Sequence, residues 1–523
     1  MAQAGATTTD TAQQAHPRRW WALAALAASV LVLGLDSTVL NVALPSMATA
    51  LGADNGDLQW IVDGYVVVFA AALVPAGLLG DRFGRKRLIV AGLALFGTAS
   101  LLGVFAGSVG EVIAARAAMG AGAALVTPLS MSILPSVFPP EERSKAIGVW
   151  AAATALGLPL GPIVGGALLE HFWWGSVFLM NVPLVVAAIV AATLWLPESR
   201  DPAAKKIDPV TSVLAAGGLA VLVFGANEAA RRGWTDLVVL GGIAAGLALI
   251  GAVVLRETRR SVAMIDFSLF RNRNFLWGSL AAVVPSFVMV GVLFVLPQRL
   301  AAVDGQGAFG TGVRLLPLMG GLLASAGVSA PLVARFGFRG VIPTGMLLLA
   351  AGAFLGATGS PSDGYAFTAV WLGIIGFGLG VAMIPGMDAV LATLSPERAG
   401  VGSALMQTLE QVAGALGVAM LGSILAGAYT GRLDVSGPAN DSVASAVEIA
   451  QRTGDPALLA HARDAFVHGM DVVLIACGIA AIVAGALVAA FLPGSKGQGA
   501  EQAPAAEAAE DAASGSASET VHA

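Results

Sequence analysis

The chain has little charge and almost no reactive sulfur or imidazole. Cys477 is the single cysteine among 523 residues, which excludes a disulfide framework and a cysteine-built metal site; lying in an apolar run, it is expected to pack. The five histidines, His16, His171, His461, His468 and His522, sit at the termini or near the ends of apolar runs, so no nucleophile–base pair of an embedded enzyme is visible. No Gly-x-x-x-x-Gly-Lys-Ser/Thr string occurs, which argues against ATP as a driver, and the sequence calls for neither cofactor nor metal. Charged residues make up 12% of the chain against 57% hydrophobic ones, with a mean hydropathy of +0.81. A soluble core of that size needs more charge on its surface. The net charge of −5, partly carried by Glu501, Glu507, Glu510, Asp511 and Glu519, gives no sign of a nucleic-acid partner.

What the chain has instead is long apolar runs, and about 20 such residues cross a bilayer. The first follows Arg18-Arg19 and Trp20-Trp21; it is too long for the apolar part of a signal peptide and lacks a small-residue cleavage site, so it is expected to stay as a span. Fourteen spans are expected in an all-α membrane protein: a tail over residues 1–19, a six-helix bundle over 20–196, two inserted helices and a linker over 197–274, and a second six-helix bundle over 275–493. A polar external loop is expected at 428–464, and residues 494–523, rich in Ala, Glu, Gly and Ser, read as a disordered tail. With the N-terminus inside, twenty Lys and Arg fall on one side and six on the other, which puts both termini in the cytoplasm.

Arg335-Phe336-Gly337-Phe338-Arg339 after the tenth span repeats Arg82-Phe83-Gly84-Arg85-Lys86 after the second, with Ala334 where Asp81 stands. An offset of eight spans fits two parallel six-helix halves separated by two extra helices.

Three groups of residues carry the chemistry. The loop from Gly77 to Arg87 has glycines at 77, 80 and 84 for a tight turn, Asp81 placed to accept from the amides opening the next helix, and the cations Arg82, Arg85, Lys86 and Arg87 at the surface. It is either a latch between bundles or a basic loop that sets orientation. Asp36, Asp63 and Arg116 fall in the outer half of spans one, two and four, either as a neutralised ion pair with Arg116 or as a titratable cluster. Glu410 in span thirteen has no basic partner in its own span and is either protonated and silent or coupled to protons. In span five, Gly157, Gly161 and Gly165 make one smooth face, Pro159 and Pro162 bend the helix, and Gly166 closes the string.

The loop at 77–87 resembles the signature between spans two and three of the major facilitator superfamily, and the Gly157 to Gly166 string resembles the span-five signature of that superfamily's antiporters. With the Leu35-Asp36 to Pro45 string, Gln59 to Tyr65, Arg116 with Gly120 and Gly122, and Asn181-Val182-Pro183, the chain is similar to the fourteen-span drug:proton antiporter family of the QacA and SmvA type. The resemblance implies proton-driven export of lipophilic, often cationic drugs by a protein working as a monomer in the cell membrane, with Asp36, Asp63 and Glu410 in protonation and substrate binding. Residues 315–333 lack the acid that the QacA type carries in span ten and associates with divalent cations. Related possibilities are a dedicated exporter of one self-made antibiotic and a proton–solute symporter.

Overall fold

The computed structural model describes residues 18–53, 55–200, 208–260, 267–360, 363–394, 399–433, 435, 439 and 442–493. The expected tail at 494–523, and parts of the N-terminal tail, the linker and the external loop, lie outside the described residues. The described elements are helices throughout: α1 (Arg19–Leu51), α2 (Asn55–Phe83), α3 (Arg85–Val104), α4 (Val109–Val137), α5 (Pro140–His171), α6 (Ser176–Leu179), α7 (Asn181–Trp195), α8 (Pro209–Arg232), α9 (Leu237–Thr258), α10 (Arg273–Ala302), α11 (Ala308–Arg314), α12 (Leu316–Gly356), α13 (Tyr365–Leu391), α14 (Ala399–Leu433), α15 (Val443–Thr453) and α16 (Pro456–Phe491), with a 3-10 turn at Phe267–Arg271. In hydrocarbon a backbone must satisfy its own amides, and the helix is the form that does so within one segment.

Thirteen helical runs among the described residues are long and apolar enough to cross a membrane. One of them, Phe309–Gly356, has 48 residues. At about 1.5 Å per residue that is roughly twice the thickness of the hydrocarbon core. It breaks at Gly337 (φ 69°, ψ 168°), which divides it into two spans and makes fourteen. Gly84 (φ 106°, ψ 128°) separates α2 from α3 in the same way. The two copies of the sequence repeat thus place a glycine where only a positive φ turns the chain.

One apolar core joins α1 to α7, and a second joins α10, α12, α13, α14 and α16. The inserted helices α8 and α9 pack on each other, and α8 lies against α2 of the first bundle and α14 of the second. Ala70, Val223, Ala226 and Ala415 meet at that three-way junction, where small side chains bring the helices close. The region expected as an irregular external loop is largely helical: α14 runs on to Leu433, α15 is capped by Ser442, and α16 starts at Pro456 behind an Asp455 cap. These polar turns extend helices beyond the apolar runs, which hydropathy alone does not register.

Candidate functional site

Between the bundles lies a cavity of about 310 Å³, walled by α1, α2, α4 and α5 on one side and α10, α12, α13 and α14 on the other. Its lining is apolar and polarizable: Tyr65, Phe69 and Trp150 supply rings, and Met289, Met383 and Met387 supply thioethers that adapt to different shapes. Gln407, Glu410 and Gln411 line it from α14, and Glu410 is the one carboxylate among the described lining residues. Its Oε1 is buried without a hydrogen-bond partner among the described residues. A carboxylate in that setting can be stabilised by a proton or by a cation.

Asp36 lies on α1 among the cavity-lining positions Leu33, Gly34 and Ser37 but is not itself in the wall. Its Oδ2 takes a bond from Arg116 Nη1 at 2.6 Å and its Oδ1 one from Asn181 Nδ2 at 2.7 Å. Asn181 Nδ2 also lies 3.1 Å from Ser100 Oγ, whose hydroxyl donates to the Phe178 carbonyl. The cluster ties α1 to α3, α4 and α7. The ion pair with Arg116 is formed by Asp36. The Arg116 guanidinium stands 4.3 Å from the centroid of the Tyr65 ring, so one aromatic side chain separates the pair from the cavity. Asp63 is buried on α2 and outside the cavity wall.

The loop at 77–87 is bound up within the first bundle. Arg85 is fully buried; its Nε and Nη2 reach Asp81 Oδ1 at 3.0 and 2.7 Å, and its Nη1 reaches the Ser132 carbonyl and Ser199 Oγ, both at 3.2 Å. Asp81 was expected to accept from the amides opening α3, but Glu198 accepts from the Lys86 amide at 3.2 Å while Asp81 holds Arg85. Lys86 Nζ donates to the Thr193 carbonyl, and Arg82 is exposed. Gly77 and Gly80 are buried, the latter against Leu129 of α4. The role of Glu198 was not legible beforehand, because it comes from the far end of the bundle.

In α5 the glycine face meets α1, which runs parallel to it. A Cβ on Gly157 would come 2.5 Å from the Leu35 amide nitrogen, one on Gly161 2.7 Å from the Val39 nitrogen, and one on Gly165 2.8 Å from Val39 Cγ2. Pro162 and Gly166 sit half-buried on the same helix. This face therefore holds α1 and α5 together inside one bundle, while other positions of α5 meet the second bundle: Gly148 faces Ala326 of α12, and Ile163 faces Gly312 of α11. Near the start of α5, Ser144 donates to Asp388 at the end of α13, a bond between bundles. Close by, Met387, Val390, Leu391 and Met406 of the second bundle are part of the first bundle's core. The cavity is thus shut at the end of the molecule that carries the start of α1 and the end of α16.

Residues 26–418 match the Major Facilitator Superfamily. The chain is 36% identical to the tetracenomycin C resistance and export protein of Streptomyces glaucescens over 78% of this chain and 76% of that protein. It is 31% identical to the methyl viologen resistance protein SmvA of Salmonella typhimurium over 88% and 96%, and 33% identical to the multidrug efflux pump LfrA of Mycolicibacterium smegmatis over 92% and 97%. Among solved structures, the human organic anion transporter MFSD10 (TETRAN) superposes with a TM-score of 0.55 over 89% of this chain and 97% of that one; at 16% identity this speaks to fold alone.

Proposed function

The chain belongs to the major facilitator superfamily, as a multi-pass membrane transporter and not an enzyme, and from that premise we propose that it exports lipophilic, cationic drugs or antibiotics across the cytoplasmic membrane in exchange for protons. Both termini face the cytoplasm in this reading, because the basic loops lie at their end of the molecule. One chain frames the whole cavity, in keeping with a monomer as the working unit.

The observation that carries the mechanism is the lone Glu410 carboxylate in an aromatic and thioether-lined cavity shared by both bundles. With Glu410 ionised, a lipophilic cation gains Coulomb attraction there and apolar contact around it. After the bundles rock and the cavity meets the more acidic outside, a proton takes the carboxylate and the cation loses its counter-charge and leaves. Asp36 and Arg116 act behind Tyr65, setting the shape of the cavity wall and the field across it. The Asp81–Arg85 pair, tied on to Ser132 and Ser199, holds the first bundle rigid as it rocks.

Glu410→Gln tests this directly. Drug-induced proton release from reconstituted vesicles is expected to vanish for cationic substrates, while uncharged substrates still move downhill. Proton release equal to wild type would overturn the role of Glu410. A second reading, a dedicated exporter of one antibiotic made by the same cell, is favoured by the name of the tetracenomycin C relative. A growth-inhibition panel of dyes, antiseptics and antibiotics in an efflux-deficient host separates breadth from dedication.

A further inference from the structure

Arg299, on the last turn of α10, is fully buried, and its Nε and Nη1 have no hydrogen-bond partner among the described residues; only Nη2 is engaged, with the Ser360 carbonyl at 3.2 Å. A buried guanidinium left with two open donors is costly unless something else answers it. On the neighbouring α16, Asp471 Oδ1 is likewise buried and unpartnered among the described residues. Two contacts fix how these antiparallel helices align: Gly291 lies against Cys477, and Arg463 Nε reaches the Ala302 carbonyl at 3.3 Å. Between these points Arg299 and Asp471 fall within about one turn of each other. Since each Cβ leans toward its own helix N-terminus, the two side chains lean toward one another.

Asp471 also ends a stripe. His461, Asp464, His468 and Asp471 follow at spacings of three, four and three residues, so they share one face of α16 and span about 15 Å. The first three line an open polar pocket of about 600 Å³ at the end away from the termini. The stripe therefore runs from water to a buried acid beside a buried cation.

We propose that Asp471 is a second proton-binding acid, loaded from the outside along the His461–Asp464–His468 face of α16 and held against Arg299 as its counter-charge. This rests on the export reading, which places that end outside and supplies the proton gradient. In the loading step an imidazolium N–H of His468 breaks, the Asp471 O–H forms, and a hydronium ion of the external solution reprotonates the imidazole and leaves as water. A neutral Asp471 leaves Arg299 charged and unmatched, which favours the arrangement in which water reaches Arg299, so external acid opens the outer end. Of the other charges around the stripe, Asp304 just beyond Arg299 lies 4.0 Å from Arg314. Arg432 of α14 is paired with Asp464 at 3.1 Å, and its carbonyl faces His461. Asp363, in the loop after α12, feels Arg299 but caps the Ser360 amide. Arg463 holds Ala302, Glu448 and Arg452 of α15 are exposed, and Arg339 of α12 binds Ala489 at the opposite end.

The test is ethidium–proton exchange by the full chain in oriented vesicles, with pH varied on one side and held constant on the other. Asp471→Asn is expected to reduce stimulation by acid on the outer side about fivefold or more. The inner-side profile and ethidium affinity should stay as in wild type, and Asp471→Glu should restore stimulation. His468→Gln, at an exposed position, is expected to weaken outer-side stimulation as well. An unchanged outer-side profile in His468→Gln and Asp471→Asn overturns the site, as does an Asp471→Asn loss shared by both sides and not restored by glutamate. A wild-type protein indifferent to pH on both sides overturns the proton-driven reading itself.

Discussion

Ser144 of α5 donates a hydrogen bond to Asp388 of α13, and these residues, 244 positions apart, belong to different bundles. The bond lies where Met387, Leu391 and Met406 enter the first bundle's core. Parting the bundles at this end must break both the polar link and the apolar one. Ser144→Cys with Asp388→Cys, in a Cys477→Ala background, is expected to stop export when oxidised and to recover it on reduction, with neither single variant affected by oxidant. Export that continues in the crosslinked protein, measured as ethidium efflux, would show that the bundles do not separate there.

Asp36 and Arg116 form a buried pair at 2.6 Å, and removing either partner strands a charge. Asp36→Asn and Arg116→Gln are each expected to destabilise the protein by about 3–5 kcal/mol, and the double variant by much less than their sum. Thermal unfolding in detergent reads this; additive losses would argue that the two residues act separately.

At Gly161 a larger side chain meets Thr38 and the Val39 backbone of α1. Gly161→Leu is expected to wedge α5 from α1, losing export or opening a proton leak, at a cost of at least about 1–3 kcal/mol. Gly241 of α9 has nothing within 4 Å of its added Cβ, so Gly241→Leu serves as the tolerated control. Vesicle proton leak and efflux rates together distinguish the two; equal behaviour would refute the close face.

Asp208 caps α8, and the Thr211 hydroxyl, followed by Arg256, holds its carboxyl down to about 2 from an ordinary 3.8. A depressed value in the folded protein means stabilisation that is present above the ordinary value and lost as pH falls through the lowered one. Pepsin cutting near the start of α8 is therefore expected to rise as pH falls from 3.8 toward about 2, whereas Asp208→Asn should be cut evenly over that window. A flat wild-type profile would remove Asp208 as the tie between α8 and α9.

Much of the fold was legible because membrane spans are announced by composition. Fourteen spans, the inserted pair and the glycine repeat at 84 and 337 all follow from runs and turns local to a few residues. The site was legible residue by residue but not as an arrangement. Asp36 and Glu410 look alike as acids in apolar runs, yet the first is closed off by Arg116 and Asn181 while the second lines the cavity. That difference depends on which way each side chain faces, and a helix that is apolar all round carries little periodicity to say so. Ser144 and Glu198 were passed over, and Asp388 read as a span-end charge at the interface, for a similar reason: each meets a partner more than 100 residues away.

The inserted pair makes the molecule lopsided. Because α8 touches α2 and α14 together, with Trp60 stacked on Phe224 and Trp234 bonded to Ser423, one flank of the inter-bundle seam is stapled along its length. On the opposite flank α5 packs directly on α11 and α12, as where Gly148 meets Ala326, and among the described residues no inserted helix lies across it. Here α8 bridges one flank and the other closes by direct packing of α5 on α11, α12 and α13, so the seam between the bundles differs on its two sides.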